Sequence, residues 1–293
     1  MNWPKNLKSE IKLGVPLKNK TTFRVGGPAK FFYAPGNLED LKLLIAAARK
    51  NKIRIFVIGA GSNILVSDNG VDGLVLQLSA PYFKKIILSE DSLIVGAGLM
   101  LGRVVEAANL NSLSGIEFLI GIPGTVGGAL MMNAGAWGRS IGELIENAAV
   151  VDFRGKVKIL RKRDIKFGYR NSGLGKYIIL STRLRLDKKN KGKIVQNLNK
   201  YLRARGSSQD TAFPNAGCVF KNPTRESAGK LIDLCGLKGR KIGGAFISGK
   251  HANFILNKEN ARAQDILNLM KLMKAAVKDK FKVNLKPEIK IWR

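Results

Sequence analysis

Gly121-Ile122-Pro123-Gly124-Thr125-Val126-Gly127-Gly128-Ala129, followed by Met132-Asn133-Ala134-Gly135-Ala136, lies in the longest uncharged run of the chain, between Glu117 and Arg139. In a protein whose residues are 25% charged, such a run first raises a membrane span. Its composition argues against one. Six glycines and Pro123 interrupt it. Each interior Gly costs a helix about 1 kcal/mol and an interior Pro about 3. Gly124 and Gly128 have the four-residue spacing that lets membrane helices touch, but no long apolar flank supports that use. In a soluble fold, residues 118–122 read as the end of a buried strand. Residues 123–128 then form a tight turn whose backbone N–H groups have no side-chain cover. Converging N–H groups among small residues make a nest suited to phosphate. The small apolar residues after Gly127 suit a short helix packed against a cofactor. The alternative is a buried glycine turn with no ligand. A second loop of the same kind upstream, Gly59-Ala60-Gly61-Ser62-Asn63, favours the ligand.

That upstream loop starts like a dinucleotide fingerprint, but Ile64 stands where the third glycine belongs. The following ILVSDNGVDGLVLQL reads as strands and turns, where the Rossmann signature needs a helix. It therefore reads as a phosphate cradle of a different fold, or as an ordinary glycine turn. Gly96-Ala97-Gly98, before the helical LGRVVEAANL, also imitates the fingerprint, without an acidic strand end after it. We read it as a strand-to-helix turn.

The 293 residues, 45% apolar, suffice for two or three domains with full cores and argue against disorder. Two cysteines, Cys218 and Cys235, make no disulfide framework, so a reducing compartment is the default. The N-terminal MNWPKNLKSEIKLGV lacks the continuous apolar stretch of a secretory signal. A cytoplasmic protein without a membrane span is expected. The net charge of +30, from 51 Lys and Arg against 21 Asp and Glu, raises a polyanionic partner and the rival class of basic RNA-binding protein. Between residues 151 and 193 there are 15 basic and 3 acidic residues, so the excess is concentrated there. Within it Lys156 and Lys158 alternate with Val157 and Ile159, as on the wet face of a strand. Few aromatics interleave to stack bases. The stretch reads as a solvated basic face with no specific nucleic-acid partner. An anionic substrate or a lysine-biased source accounts for the rest. His251, the one histidine, and two separated cysteines offer no metal-ligand cluster and no hydrolytic triad. No metal is expected, and His251 reads as structural or rim-lining.

In chain order, residues 19–34 read as strand, a Gly26-Gly27-Pro28 turn, and strand. Asn37 reads as an N-cap with Glu39 and Asp40 in the first turn. Leu38, Leu41, Leu44, Ile45 and Ala48 keep helical spacing. Residues 53–58 are a short strand, and 141–186 are β-rich. The polar DKKNKG at 187–192 marks a domain boundary. A helix through Ile194, Leu198 and Tyr201 ends near Gly206. Another reads SAGKLIDLCG and contains Cys235, a small packed hydrophobe. Ile266, Met270, Met273, Val277 and Phe281 form a core-facing helical stripe.

The 121–129 and 132–136 motif closely resembles the flavin loop of the UDP-N-acetylenolpyruvoylglucosamine reductase family, flavoproteins that make UDP-N-acetylmuramate for peptidoglycan. Further motifs follow in the family's order along nearly the whole chain. They are Thr22-Phe23-Arg24-Val25-Gly26-Gly27, Tyr169-Arg170, FPNAGCVFKNP at 213–223, GGAFIS at 243–248, HANFI at 251–255, and Pro287-Glu288. The family's extra tyrosine-bearing loop has no matching insertion, so the chain resembles the shorter form.

The resemblance implies an α+β fold: a two-subdomain FAD-binding fold of the vanillyl-alcohol oxidase type, over 1–79 and 80–187, with a C-terminal α+β substrate domain over 188–293. It implies FAD held by Gly59, Ala60, Gly61, Ser62 and Asn63, and by Gly121, Ile122, Pro123, Gly124, Thr125, Gly127, Gly128, Asn133 and Gly135. NADPH would be the reducing co-substrate and a UDP-sugar enolpyruvyl ether the substrate, bound through Tyr169, Lys221 and Asn222. Arg170 and Glu288 would hold the charge that develops in the reaction. The family's proton donor, commonly Ser, falls on Cys218. Read without the resemblance, Arg170 is a surface-loop residue, Glu288 a solvated carboxylate and Cys218 a small buried hydrophobe. The nearest alternative enzyme, an FAD oxidoreductase of the same fold acting on an alcohol, would not need these three together.

Overall fold

The computed structural model describes residues 3–293. Met1 and Asn2, which begin both the stretch read for a leader and the first expected segment, lie outside them. Helices and strands are mixed along the chain, which divides into two compact units. The first comprises residues 3–13, Phe31–Ala60 and Gly73–Ala204; the second comprises Gly14–Lys30, Gly61–Asp72 and Arg205–Arg293. Each has its own apolar core. The three contiguous segments expected from the sequence divide the chain by role. Compactness divides it otherwise, grouping Gly61–Asp72 with the C-terminal part and carrying the first unit past the polar break to Ala204.

In the first unit, helix α1 (Leu38–Lys50) starts as expected: the Asn37 side chain accepts from the Asp40 N–H at 2.9 Å. Leu41, Leu44, Ile45 and Ala48 are buried on one face. Asp40 is itself buried, its carboxylate accepting from the Tyr33 hydroxyl at 3.0 Å and the Gly36 N–H at 2.7 Å. Strands Ile55–Ile58 and Val71–Gln77 pair in parallel. A five-stranded antiparallel sheet runs, in spatial order, Val157–Arg161, Ile145–Asp152, Tyr177–Arg185, Ser92–Gly96 and Ile86–Leu88. Helices α2 (Leu101–Leu110) and α3 (Val126–Met131) follow the turns at 96–100 and 121–125, and α4 (Lys191–Ser208) runs through Gly206 rather than ending there.

Three local expectations are corrected. Residues 118–122 are not a strand end: Glu117–Leu119 is a 3-10 turn. Buried Glu117 closes it, accepting from Ser114 Oγ at 2.6 Å and the Gly115 N–H at 2.7 Å. No strand forms over 19–27, because Arg24 adopts φ 55° and its N–H bonds back to the Thr21 carbonyl at 3.1 Å. The alternation at 156–159 is inverted. Val157 and Ile159 are the outward residues, Ile159 being 71% exposed. Lys158 lies on the opposite face, its amine 3.6 Å from Asp152 and 5.7 Å over the Tyr177 ring. A carboxylate and an aromatic face there outweigh the period-2 pattern.

In the second unit, α5 (Ala228–Leu234) and α6 (Ala263–Phe281) pack with the antiparallel strands Lys241–Ile242, Ala245–Ile247 and Ile255–Asn257. Ile266, Met270, Met273 and Val277 of α6 are buried, as the stripe predicts. Asp68 caps α6 by accepting from Ala263 N–H at 2.8 Å and Gln264 N–H at 3.1 Å. Strand Ile64–Val66 pairs in parallel with Lys290–Trp292. Among the described residues no helix is long and apolar enough to cross a membrane, and no His, Cys, Asp and Glu cluster could hold a metal.

Candidate active site

Within the first unit the two glycine loops touch. A Cβ on Gly59 would lie 2.4 Å from Thr125 Oγ1, so only glycine permits the approach. The Gly59 carbonyl accepts from Gln77 Nε2 at 3.0 Å. In the 121–128 loop, Gly124 adopts φ 148°, and the Thr125 side chain caps α3. The loop is anchored on the 96–100 turn: Leu101 N–H donates to the Gly124 carbonyl, Val126 N–H to that of Leu99 and Gly127 N–H to that of Ala97, each at 2.9 Å. Three of the N–H groups expected to be open thus serve the protein, those of Val126 and Gly127 and that of Gly128, which donates to Thr125 Oγ1 at 3.4 Å. Those of Gly124 and Thr125 take no protein partner among the described residues. Gly128 is exposed, with only Thr125 Oγ1 within 4 Å of where its Cβ would stand. Backbone donors without a protein partner, at buried Gly124 and Thr125, beside side-chain-free positions fit the diphosphate of a dinucleotide cofactor. The glycines of the 96–98 turn have a packing cause instead. A Cβ on Gly96 would lie 2.2 Å from the Phe83 carbonyl oxygen, and one on Gly98 1.7 Å from that of Leu78.

Two further expected cofactor positions, Gly135 and Asn133, also make contacts within the protein. Gly135 opens a tight hairpin, strand Gly135–Ala136 against Arg139–Ser140, and a Cβ there would lie 2.1 Å from the Arg139 carbonyl oxygen. Trp137 and Gly138 at its tip take φ 52° and 77°, the left-handed pair of a two-residue hairpin loop. Asn133 is buried with φ 44°, and both ends of its amide bind protein. Nδ2 donates to the Gly168 carbonyl and Oδ1 accepts from the Gly142 N–H, each at 3.0 Å.

Tyr169 and Arg170 form the tip of a turn closed by Gly168 N–H to the Asn171 carbonyl at 2.9 Å and Asn171 N–H to the Gly168 carbonyl at 3.2 Å. Arg170 takes φ 53°, a strained choice for a non-glycine residue of roughly 1–2 kcal/mol. Its guanidinium carbon lies 5.1 Å from the centre of the Tyr169 ring. Buried Ser172 donates to the Met131 carbonyl at 3.0 Å, tying the turn to the end of α3.

The second unit carries Gly61, Ser62, Asn63, Cys218, Lys221, Asn222 and Glu288. A short ladder brings most of them together. Glu288 N–H donates to the Val219 carbonyl and Lys221 N–H to the Lys286 carbonyl, both at 2.9 Å. Glu288 therefore lies beside the residue that follows Cys218. Asn63 joins through its own carbonyl, which accepts from Lys290 N–H at 2.9 Å, and its Nδ2, which donates to the Glu288 carbonyl at 3.3 Å. Gly61 is packed so that a Cβ would lie 2.1 Å from the Lys20 carbonyl oxygen. Gly217, at φ 71°, sets the turn before Cys218. Asn222 Oδ1 accepts from Ala228 N–H at 3.0 Å, at the start of α5.

Sequence reasoning missed Asn253. Its side chain acts as a strand partner for buried Phe220: Nδ2 donates to the Phe220 carbonyl at 2.8 Å and Oδ1 accepts from the Phe220 N–H at 3.0 Å. Its own carbonyl accepts from Val219 N–H at 2.9 Å. The signal available was HANFI itself, a polar residue between apolar neighbours. His251 supports the same point, Nδ1 accepting from the Asn253 N–H at 3.2 Å. Burial, helped by the charge of Lys238, pushes its pKa below 6.5 despite an opposing backbone hydrogen bond. It is a neutral structural ring. Cys235 is a half-buried thiol whose pKa burial raises against the opposing charge of Lys280.

Two family models match the chain: an FAD binding domain over residues 29–161 and the C-terminal domain of UDP-N-acetylenolpyruvoylglucosamine reductase over residues 209–292. The UDP-N-acetylenolpyruvoylglucosamine reductase of Caldanaerobacter subterraneus subsp. tengcongensis is 40% identical over 96% of this chain and 93% of its own. That of Clostridium tetani is 39% identical over 99% and 95%. The crystal structure of the enzyme of the same name from Thermus caldophilus superposes with a TM-score of 0.85 at 37% identity, covering 98% of this chain and 100% of that one.

Proposed function

The chain belongs to the UDP-N-acetylenolpyruvoylglucosamine reductase family, and from that membership we propose that it reduces the enolpyruvyl double bond of UDP-N-acetylenolpyruvoylglucosamine with NADPH. The product is UDP-N-acetylmuramate, a precursor of peptidoglycan and so of wall growth, cell shape and division. The fold is the α+β one expected, an oxidase-type FAD-binding fold of the vanillyl-alcohol oxidase kind with a C-terminal α+β domain. Segments 1–79 and 80–187 are the proposed FAD-binding parts and 188–293 the proposed substrate part. The cytoplasm is the proposed setting, with no specific nucleic-acid partner.

FAD, when bound, supplies the transfer of two electrons as hydride from NADPH to the enolpyruvyl group. Gly59–Asn63 and Gly121–Gly128 are the proposed loops for its diphosphate. The residues of this chain supply binding, orientation, charge and a proton. Hydride addition at the terminal carbon leaves negative charge on the neighbouring carbon and its carboxylate. Arg170, a fixed planar cation, and Glu288, in its protonated form, stabilise that charge. Cys218 gives its thiol proton to the carbon and regains one from solvent. Tyr169, Lys221 and Asn222 bind the substrate.

The observation that carries this reading is the ladder of the second unit. The pairs Val219–Glu288 and Lys221–Lys286 hold a thiol, an acid and a cation on adjacent short stretches of backbone. An alcohol-oxidising relative would have no use for Arg170, Cys218 and Glu288 together. The test is anaerobic mixing of the FAD-loaded protein with NADPH. The flavin absorbance near 450 nm should bleach fully, and a protein that neither takes up FAD nor bleaches would end the proposal.

A further inference from the structure

We propose that Asn133 is a positioning residue for the reaction, holding the Tyr169-Arg170 turn, and not a ligand of the flavin. The inference rests on the role given to Arg170 above. Asn133 sits just past the end of α3, where its φ of 44° turns the side chain back into the protein. Its amide is used at both ends, by the Gly168 carbonyl and the Gly142 N–H at 3.0 Å each. Gly168 is the first residue of the closed turn whose tip carries Arg170. Gly142 has no room for a Cβ, which would lie 2.7 Å from the Phe167 ring and 2.8 Å from Asn133 Oδ1. Asn133 therefore clamps a fixed base, Gly142, to a strained turn, from the helix that carries the proposed flavin loop. Ser172 adds a second tie from the same turn to the Met131 carbonyl at 3.0 Å. A turn holding a non-glycine residue in the left-handed region relaxes unless its surroundings over-determine it, and the Asn133 amide and the Ser172 hydroxyl together constrain this one.

The test is a double-mutant cycle. Asn133→Gly keeps the left-handed backbone and removes the amide; Asn133→Asp keeps the acceptor for Gly142 and loses the donor to Gly168. Should the first variant fail to fold, the second carries the test. Either should bind FAD at wild-type stoichiometry and be reduced by NADPH within about twofold of the wild-type rate, while unfolding at a lower temperature than wild type because the Gly168 carbonyl, and in Asn133→Gly also the buried Gly142 N–H, loses its partner. Reoxidation by the enolpyruvyl substrate should slow about 10–100-fold, the scale of a misplaced catalytic group. With the enolpyruvyl substrate saturating, so that weaker binding through Tyr169 does not register, the same change in an Arg170→Ala background should add less than about twofold, because it acts on the reaction through a side chain already gone. Loss of FAD, an equal slowing of the NADPH step, or full multiplication of the two effects would overturn the proposal alone. An Arg170→Ala protein with wild-type reoxidation would overturn it together with the role of Arg170.

Discussion

Replacing Asn253 by Ala isolates the second buried amide. The side chain supplies both hydrogen bonds to the backbone of Phe220, at 2.8 and 3.0 Å, and Phe220 itself is fully buried. Deletion leaves a buried N–H and a buried carbonyl without these partners. Each loses a net contribution of about 1 kcal/mol and retains a desolvation penalty that brings the deficit to about 1–3. The sum is a loss of about 2–6 kcal/mol, a large part of the ~5–15 that holds a domain folded. The assay is equilibrium urea unfolding of wild type and variant with the same excess of FAD, so that ligand linkage is matched. Because residues 219–221 carry the ladder to Lys286 and Glu288, reoxidation by the enolpyruvyl substrate should also slow while NADPH reduction does not. Asn253→Asp, which retains an acceptor for the Phe220 N–H but sets an oxygen against its carbonyl, should be impaired in the same step. A variant within about 0.5 kcal/mol of wild type, the spread of neutral substitutions, with reoxidation unchanged, would refute the view that this amide holds the ladder.

Cys218→Ala should slow substrate reduction by about 10²–10⁴, the usual worth of a general acid, while NADPH still reduces the flavin. Cys218→Ser should keep much of the activity and resist thiol alkylation, and rapid mixing of the two half-reactions reads both. His251 has a pKa held below its unfolded value of about 6.5, so the unfolded chain binds the extra proton. Stability is then full above pH ~6.5 and lost as pH falls from there toward the folded pKa. The urea midpoint of wild type should drop more between pH 7.5 and 5.5 than that of His251→Asn. Despite the +30 charge, homopolymer RNA should bind weakly, with affinity falling steeply between 50 and 200 mM salt. Sequence-preferring RNA binding that persists at the higher salt would restore the rival class.

Most helices were legible because local signals agree with burial. Asn37 caps α1 through the Asp40 N–H, and α6 buries the stripe Ile266, Met270, Met273 and Val277. The inverted strand at 157–161 was not, because its sidedness is set by Asp152 and Tyr177, partners that a period-2 pattern cannot see. The turn at Glu117 likewise depends on a carboxylate accepting from its own neighbours. The glycine loops were legible as close approaches, but which N–H groups remain open depends on the 96–100 turn. The buried asparagines were the least legible. Asn133 reaches Gly168, Asn253 reaches Phe220, and Asn257 reaches the Phe23 carbonyl at 2.9 Å. Each is a short polar side chain spent on backbone remote in sequence, for which no local spacing is a sign.

Single-turnover reoxidation tests the central claim most directly. The FAD-loaded protein is reduced anaerobically with one equivalent of NADPH, then mixed with UDP-N-acetylenolpyruvoylglucosamine in deuterated water. The flavin absorbance should return with one UDP-N-acetylmuramate formed per flavin, deuterium at the carbon next to the carboxylate, and a strong slowing in Cys218→Ala. Flavin that stays reduced with this substrate but is reoxidised by other acceptors would contradict the account.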